Sequence, residues 1–355
     1  MVRRIYGARA AALLILASTA ASAKAGNCSA AQGQLYIDAG KYTQAVHEFT
    51  CIINSQPTEV EGYRGRIEAQ VLLRQYSNAV RDYARVTALV TPVHPDAQNT
   101  ILAGYAARLK ATPNDIPALK GFSFARWWFF AYAHAIQVLN DILAIAPDDP
   151  YANLFRGSSR LSSRMGTDQG VTDLERAILL DPANPHVRFI VADAYTYGQP
   201  DANRAFQEAS LALNWGLDTP RIHAILAASY AAFGNTLQAA AEIKTSIDQV
   251  TTQIVTTGAL VVGSSMTLGV VPGRVYEVPV AVSAGQKLTV LTSSRDFWDT
   301  ILVALAPDGS PVVGSDDAVK YYASLDWTAP VTATYRIRVT SFESVNTGDL
   351  IIERK

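Results

Sequence analysis

Ile145-Ala-Pro-Asp-Asp-Pro150 and Leu180-Asp-Pro-Ala-Asn-Pro185 are near copies that start 35 residues apart. Recurrence at such a spacing marks a repeat architecture, in which each repeat is one supersecondary unit. Outward from these two stretches, small residues stand in like surroundings at Ala45, Ala79, Ala135, Gly170, Ala205 and Ala239. Their separations are 34, 56, 35, 35 and 34 positions, the 56 being one period plus 22 further residues. A large apolar residue follows five of them by four positions: Phe49, Tyr83, Leu139, Leu174 and Ile243. Pro57, Pro147 and Pro182 close several units, and Tyr42, Tyr76 and Tyr132 precede the small residue in three.

Each unit therefore reads as a helix, a tight turn and a second helix. The small residue sits where the two helices cross closely, and the large residue one turn on fills the gap. Proline after the second helix stops it and opens the next unit. One hairpin cannot bury its own apolar face, so the units must stack. The pattern resembles the tetratricopeptide repeat (TPR) family over residues 26–253, in six units. It is clearest in 26–59, with Gly33, Gly40, Tyr42, Ala45, Phe49 and Pro57, and weaker in 186–253. Unit four carries one extra residue near Gly166-Thr-Asp-Gln169. Residues 94–115 depart from the period, and Ile101, Leu102, Tyr105 and Leu109 predict an added amphipathic helix there.

The resemblance implies a solenoid that binds a protein or peptide partner in the groove lined by the first helix of each unit. Candidate groove residues are Gln34, Asp38, Arg64, Glu68, Lys120, Phe124, Trp127, Arg156 and Tyr197. One subgroup of the family grips a C-terminal carboxylate with Lys, Arg and Asn. The matching positions here hold Ala30, Gln34, Gly65, Pro117 and Gly121, so that clamp is absent. The run Phe122-Ser-Phe-Ala-Arg-Trp-Trp-Phe-Phe-Ala-Tyr132 has two readings: an aromatic binding platform, or core packing beside the insertion. Packing is favoured, with one of Trp127 and Trp128 left exposed.

Near residue 254 the composition changes, and Val, Thr, Ser and Gly replace Ala, Leu and Arg. Residues 254–257 are expected to be a linker, with about eight strands in 258–355. Val275–Val282 alternates, and Pro307-Asp308-Gly309 is a turn in which Pro fixes φ and Gly permits the left-handed conformation. In order come Gly285-Gln-Lys-Leu-Thr-Val290, Asp299-Thr-Ile-Leu302, Pro307-Asp-Gly309, Asp316-Asp317, Ala329-Pro330 and Thr334-Tyr-Arg-Ile-Arg-Val-Thr-Ser341. This ordered set resembles the bacterial pre-peptidase C-terminal domain. The resemblance implies a jelly-roll-like antiparallel β-sandwich used in secretion, localisation or binding at the cell surface. The expected fold is thus multidomain, an α-helical TPR solenoid followed by a β-sandwich.

Related collagen-binding sandwiches hold calcium at acidic loops. Asp299, Asp316 and Asp317 are the leading candidates, with Asp296 and Asp308 nearby. The plainer alternative is that these aspartates cap turns. No other cofactor is expected.

At the start, Arg3, Arg4 and Arg9 precede the apolar run Ala10–Ala17, and Ala21-Ser-Ala23 follows. This is the layout of a secretory signal peptide over residues 1–23. Cleavage would leave 27 basic against 31 acidic residues, a net charge of −4. That balance excludes a strongly basic nucleic-acid binder. An exported chain is periplasmic, extracellular or at the cell surface, where a cysteine pair is usually bonded. Cys28 falls near the start of one helix and Cys51 near the end of its hairpin partner, so a disulfide is expected. The rival is a His47/Cys51 metal pair, which lacks further clustered ligands.

Catalytic motifs are absent. His47-Glu48 does not continue to H-E-x-x-H, Gly263-Ser-Ser-Met-Thr267 lacks the second glycine of a nucleophile elbow, and no phosphate loop occurs. The leading expectation is a non-catalytic exported adaptor. The alternatives are a carbohydrate- or matrix-binding protein acting through the sandwich, and a hydrolase with an unrecognised site.

Overall fold

A computed structural model describes residues 28–90, 97–294, 299–316, 322–342 and 348–355. The expected leader at 1–23 lies outside them, as do Asp296 and Asp317. The helices are α1 Ala30–Asp38, α2 Tyr42–Ser55, α3 Val60–Leu72, α4 Tyr76–Val90, α5 Ala97–Ala111, α6 Ile116–Trp128 and α7 Tyr132–Ile145. They continue with α8 Pro150–Ser163, α9 Thr167–Leu180, α10 Pro185–Asp193, α11 Ala202–Asn214, α12 Pro220–Ala232 and α13 Thr236–Val250. Helix α5 is the helix expected in the insertion. The near-copied stretches are helix starts. Asp149 and Asn184 accept from the backbone N–H groups of Ala152 and His186, each at 2.9 Å, and a proline follows at the first helical position. Thr219-Pro220 repeats the device at α12.

Between the two helices of a unit the chain turns through a left-handed residue: Gly40, Arg74, Phe130, Arg164 and Gly234. The small residues do what their spacing requires. Ala45, Ala79, Ala135 and Gly170 are buried at helix crossings. A Cβ added at Gly65 would lie 2.1 Å from the Phe49 ring. The first helices α1, α3, α6, α8, α10 and α12 stack side by side, and each is backed by the second helix of its hairpin. One apolar core runs from Ile53 to Leu226. The disulfide Cys28–Cys51 closes the first hairpin, with Cα atoms 6.1 Å apart.

Strands follow at once. They are β1 Gln253–Thr256, β2 Ser264–Val270, β3 Arg274–Val282, β4 Lys287–Ser294, β5 Thr300–Leu305, β6 Pro311–Ser315, β7 Ser324–Thr328, β8 Ala333–Ser341 and β9 Gly348–Arg354. Two sheets form, ordered β1-β3-β8-β5-β6 and β2-β9-β4-β7. Strands β2 to β9 run in jelly-roll order, changing sheet at each step except the β5–β6 hairpin, and their pairings are antiparallel. The stretch expected as a linker is corrected here: residues 254–256 belong to β1, which pairs parallel with the edge of β3. Two residues, 251 and 252, separate α13 from β1, so little chain is left to act as a hinge.

The two parts share a core. Strand β5 reads Thr-Ile-Leu-Val-Ala-Leu and is buried at every position. Leu302 and Ala304 face the sandwich interior, whereas Ile301, Val303 and Leu305 pack with Ala240, Ile243 and Ile247 of α13. A strand covered on both faces reads as a continuous apolar run. Across this junction Arg338 of β8 reaches Asp248 of α13 at 2.8 Å.

Candidate functional site

Several first-helix side chains are taken up by the chain's own helices α4 and α5. Helix α5 lies against α3 and α6, and its Arg108 reaches the first two units. Arg108 donates to Gln34 at 3.2 Å, to Glu68 at 2.6 Å and to Asp115 at 2.8 Å, and lies 3.8 Å from Asp38. Arg64 pairs with Glu61 and with Glu68, and stands 5.4 Å over the Tyr105 ring of α5. Four expected groove residues, Gln34, Asp38, Arg64 and Glu68, thus converge on one helix of the same chain.

Helix α4 does the same further along. Tyr83 stacks between Phe124 and Trp128 of α6, at 5.5 and 5.9 Å. Tyr76 meets Tyr151 and Phe155 of α8, and Ser77 contacts His186 of α10. Phe124 is fully buried and Trp127 is 8% exposed, donating to Ser158 at 2.9 Å. Neither can meet a partner, which corrects their placement in an open groove. Packing is the right reading of the aromatic run. The exposed member is Phe130, since Trp128 is half-buried and donates to Thr87. Lys120 is taken by Asp149 at 2.6 Å, and Arg156 turns to Asn140 and Asp173 of the flanking second helices. Tyr197 is exposed, with the Arg221 guanidinium 5.4 Å from its ring.

A cleft of about 550 Å³ lies between α4 and the last two units. Ser77, Asn78, Val80 and Arg81 of α4 form one wall, and Phe189 of α10 lies beside them. Gly216–Thr219, joining α11 to α12, Pro220-Arg221 at the start of α12, and Gln249-Val250 of α13 form the rest. Arg81 is exposed. Its guanidinium donates to Asn78 at 2.6 Å and meets no carboxylate among the described residues. The other cleft arginine, Arg221, pairs with Asp193 at 2.8 Å. None of Arg81, Leu217, Asp218 or Gln249 carried a periodic signal, because they come from turns and from solvent-facing helix positions.

Two histidines border the cleft. Nδ1 of His186 lies 2.9 Å from Ser77 Oγ and 3.4 Å from the Ser77 backbone nitrogen. Burial, helped by Arg81, lowers its pKa to about 4. A ring neutral at pH 7 accepts both contacts and caps the start of α4. Among the described residues no carboxylate orients this ring, so the pair lacks the third group of a nucleophilic triad there. His223 is gripped on both sides, by Glu242 Oε2 at 2.5 Å from Nδ1 and Asp218 Oδ1 at 2.9 Å from Nε2.

In the sandwich, Asp308 accepts from the backbone and side chain of Ser310, as a turn cap does. Asp299 and Asp316 flank segments outside the described residues, where Asp317 also lies. Among the described residues no three His, Cys, Asp or Glu side chains group as a metal site. No helix among them is long and apolar enough to cross a membrane.

No family model matches the chain, and no curated protein matches it. Among solved structures it is similar to a thermophilic TPR protein of Thermus thermophilus, with 18% identity over 57% of this chain and 96% of that one, TM-score 0.35. A tetratricopeptide repeat protein of Parabacteroides merdae shows 15% identity over 56% and 82%, TM-score 0.32. The pre-peptidase C-terminal domain of a Bacillus anthracis collagenase shows 8% identity over 29% and 95%, TM-score 0.24.

Proposed function

We propose that this chain is an exported, non-catalytic adaptor that takes a segment of a protein partner into the cleft between α4 and the α10–α13 end. The sandwich serves as the cap of the last repeat unit and as the element that localises the chain at the cell surface or in the periplasm. One observation carries the reading. The cleft between α4 and the α10–α13 end carries the exposed Arg81 guanidinium on its wall, beside Asn78, Asp218 and Gln249, and that guanidinium meets no carboxylate among the described residues. A guanidinium without a carboxylate partner on a cleft wall suits a carboxylate of the bound segment. The Ser77–His186 contact does not favour the hydrolase alternative, because its histidine is a weak base and the serine is tied into a helix start.

The test is capture from envelope extract on the immobilised full chain lacking residues 1–23. Arg81→Glu is compared with wild type, and Arg176→Glu serves as a surface control distant in sequence from the cleft residues. Proteins retained by wild type and by the control but lost by Arg81→Glu support the reading. Equal retention by all three, or none by wild type, overturns it.

A further inference from the structure

Asp218 lines the cleft on the segment between α11 and α12, while Glu242 sits on α13, and His223 of α12 stands between them. Both ring nitrogens lie within hydrogen-bond distance of a carboxylate oxygen, at 2.5 and 2.9 Å. Only the imidazolium has two N–H groups to give. A neutral ring has one, and turns a lone pair toward the other carboxylate. Gln249 of α13 also donates to Asp218, so Asp218 keeps one donor when the ring loses its proton. The Nδ1–H then goes to Glu242, whose one ion-pair partner among the described residues is this histidine. The Nε2 lone pair is left facing Asp218.

We propose that the proton on His223 locks the Gly216–Thr219 wall of the cleft, so that the cleft is held shaped in acid and loosens as pH rises. This rests on the cleft being the binding site. Other charges on the elements around α12 are already matched. Arg221 is paired with Asp193, Glu208 of α11 with Arg188, and Asp248 of α13 with Lys244 and Arg338. Asp218 and Glu242 therefore set the field at the ring. Burial works against the charged form of His223, but the bonds to Glu242 and Asp218 prevail and raise its pKa above the ordinary histidine value. The Asp218 carboxyl is lowered in turn, first by its bond to His223. With the folded pKa above the unfolded one, the lock is complete below the ordinary value near ~6.5 and is lost as pH rises through the folded value.

The experiment follows the His223 ring proton by NMR between pH 5 and 9, assigned by its loss in His223→Gln. Backbone hydrogen exchange at Gly216–Thr219 is measured on the same samples and corrected for intrinsic rate. Protection should fall about tenfold across the titration, the scale of one charge-assisted hydrogen bond. Glu242→Gln should move both midpoints toward acid, and Asp218→Asn, at an exposed carboxylate, should abolish the fall in protection while leaving the chain folded. Protection that stays flat through the titration, or midpoints unmoved by Glu242→Gln, overturns the lock. Capture at pH 5.5 and pH 8 reads the other premise. Blank capture with pH-dependent exchange sinks the binding site and leaves the lock standing, whereas good capture with flat exchange does the reverse.

Discussion

Arg108 on α5 donates to the fully buried carboxylate of Glu68 on α3 at 2.6 Å, across 40 residues of chain. Glu68 is a first-helix residue of the kind that would face a partner, and its partner is an internal helix. Arg64 adds a longer contact at 3.4 Å. Removing Arg108 leaves Glu68 with the longer Arg64 contact alone and takes away its short charge-assisted bond, so Arg108→Ala should cost about 1.5–3 kcal/mol in urea unfolding. The double variant Arg108→Met, Glu68→Met should recover most of that loss. A cost below about 1 kcal/mol for Arg108→Ala would mean that α5 does not hold this face.

Tyr83 is fully buried where α4 meets α6, and its hydroxyl has no hydrogen-bond partner among the described residues. An unmatched buried hydroxyl costs about 1–3 kcal/mol. Tyr83→Phe keeps the stacking on Phe124 and Trp128 and removes the orphan. It should raise the unfolding free energy by about 1 kcal/mol, read from the urea midpoint at unchanged slope.

Phe130 is 67% exposed and holds φ at +57°, where Gly40 and Gly234 stand in the equivalent turns of other units. A side chain in the left-handed region costs roughly 1–2 kcal/mol, partly offset by the greater freedom of glycine in the unfolded chain. Phe130→Gly should raise the melting temperature, and Phe130→Val should lower it. Equal melting temperatures for the two would show that the turn carries no strain.

Gly314 of β6 faces α13, and a Cβ there would come within 3.0 Å of Ile243 and 3.3 Å of the Ala240 backbone. Gly314→Val should therefore part the helical stack from the sandwich at a cost of about 1–3 kcal/mol. Differential scanning calorimetry should resolve two unfolding transitions where wild type shows them coupled. A single transition at unchanged temperature would contradict the shared core.

His186 changes stability with pH in the sense opposite to His223. Its folded pKa, about 4, lies below the unfolded value, so the unfolded state takes up the proton first. Its contribution is present above pH ~6.5 and is lost as pH falls toward 4. Acid should loosen the start of α4, because a protonated Nδ1 can no longer accept from Ser77. His186→Asn should flatten the fall in urea stability between pH 6.5 and 4, and an unchanged slope would count against the cap.

Most of the architecture was legible in the residues. The Ala45 series and the Asp-Pro and Asn-Pro starts specify hairpins through contacts about one period apart, and the alternation in β3 and β8 specifies strands, whose second face α13 partly covers. What lies on the first-helix face is less legible. Gln34, Glu68 and Phe124 occupy first-helix positions as the period requires, but the period says nothing of what lies on top of them. Residues 254–257 resemble a linker because Thr256 and Thr257, with Gln253 and Gly258 on either side of the stretch, suit a turn and an edge strand alike, and only pairing with β3 decides between them.

By itself the sequence determined the unit: a helical hairpin with its caps, its small crossing residue and its filler, repeated, and then a change to period-two strands. Those signals are local, set by backbone geometry within a few turns of each residue. The tertiary structure decided which surface remains for a partner. Arg108 with Gln34, Ser77 with His186, and Arg338 with Asp248 are joined across 74, 109 and 90 residues. Contacts at such separations follow from how whole helices lie against one another, and that depends on the fit of complete faces, which no repeat period encodes.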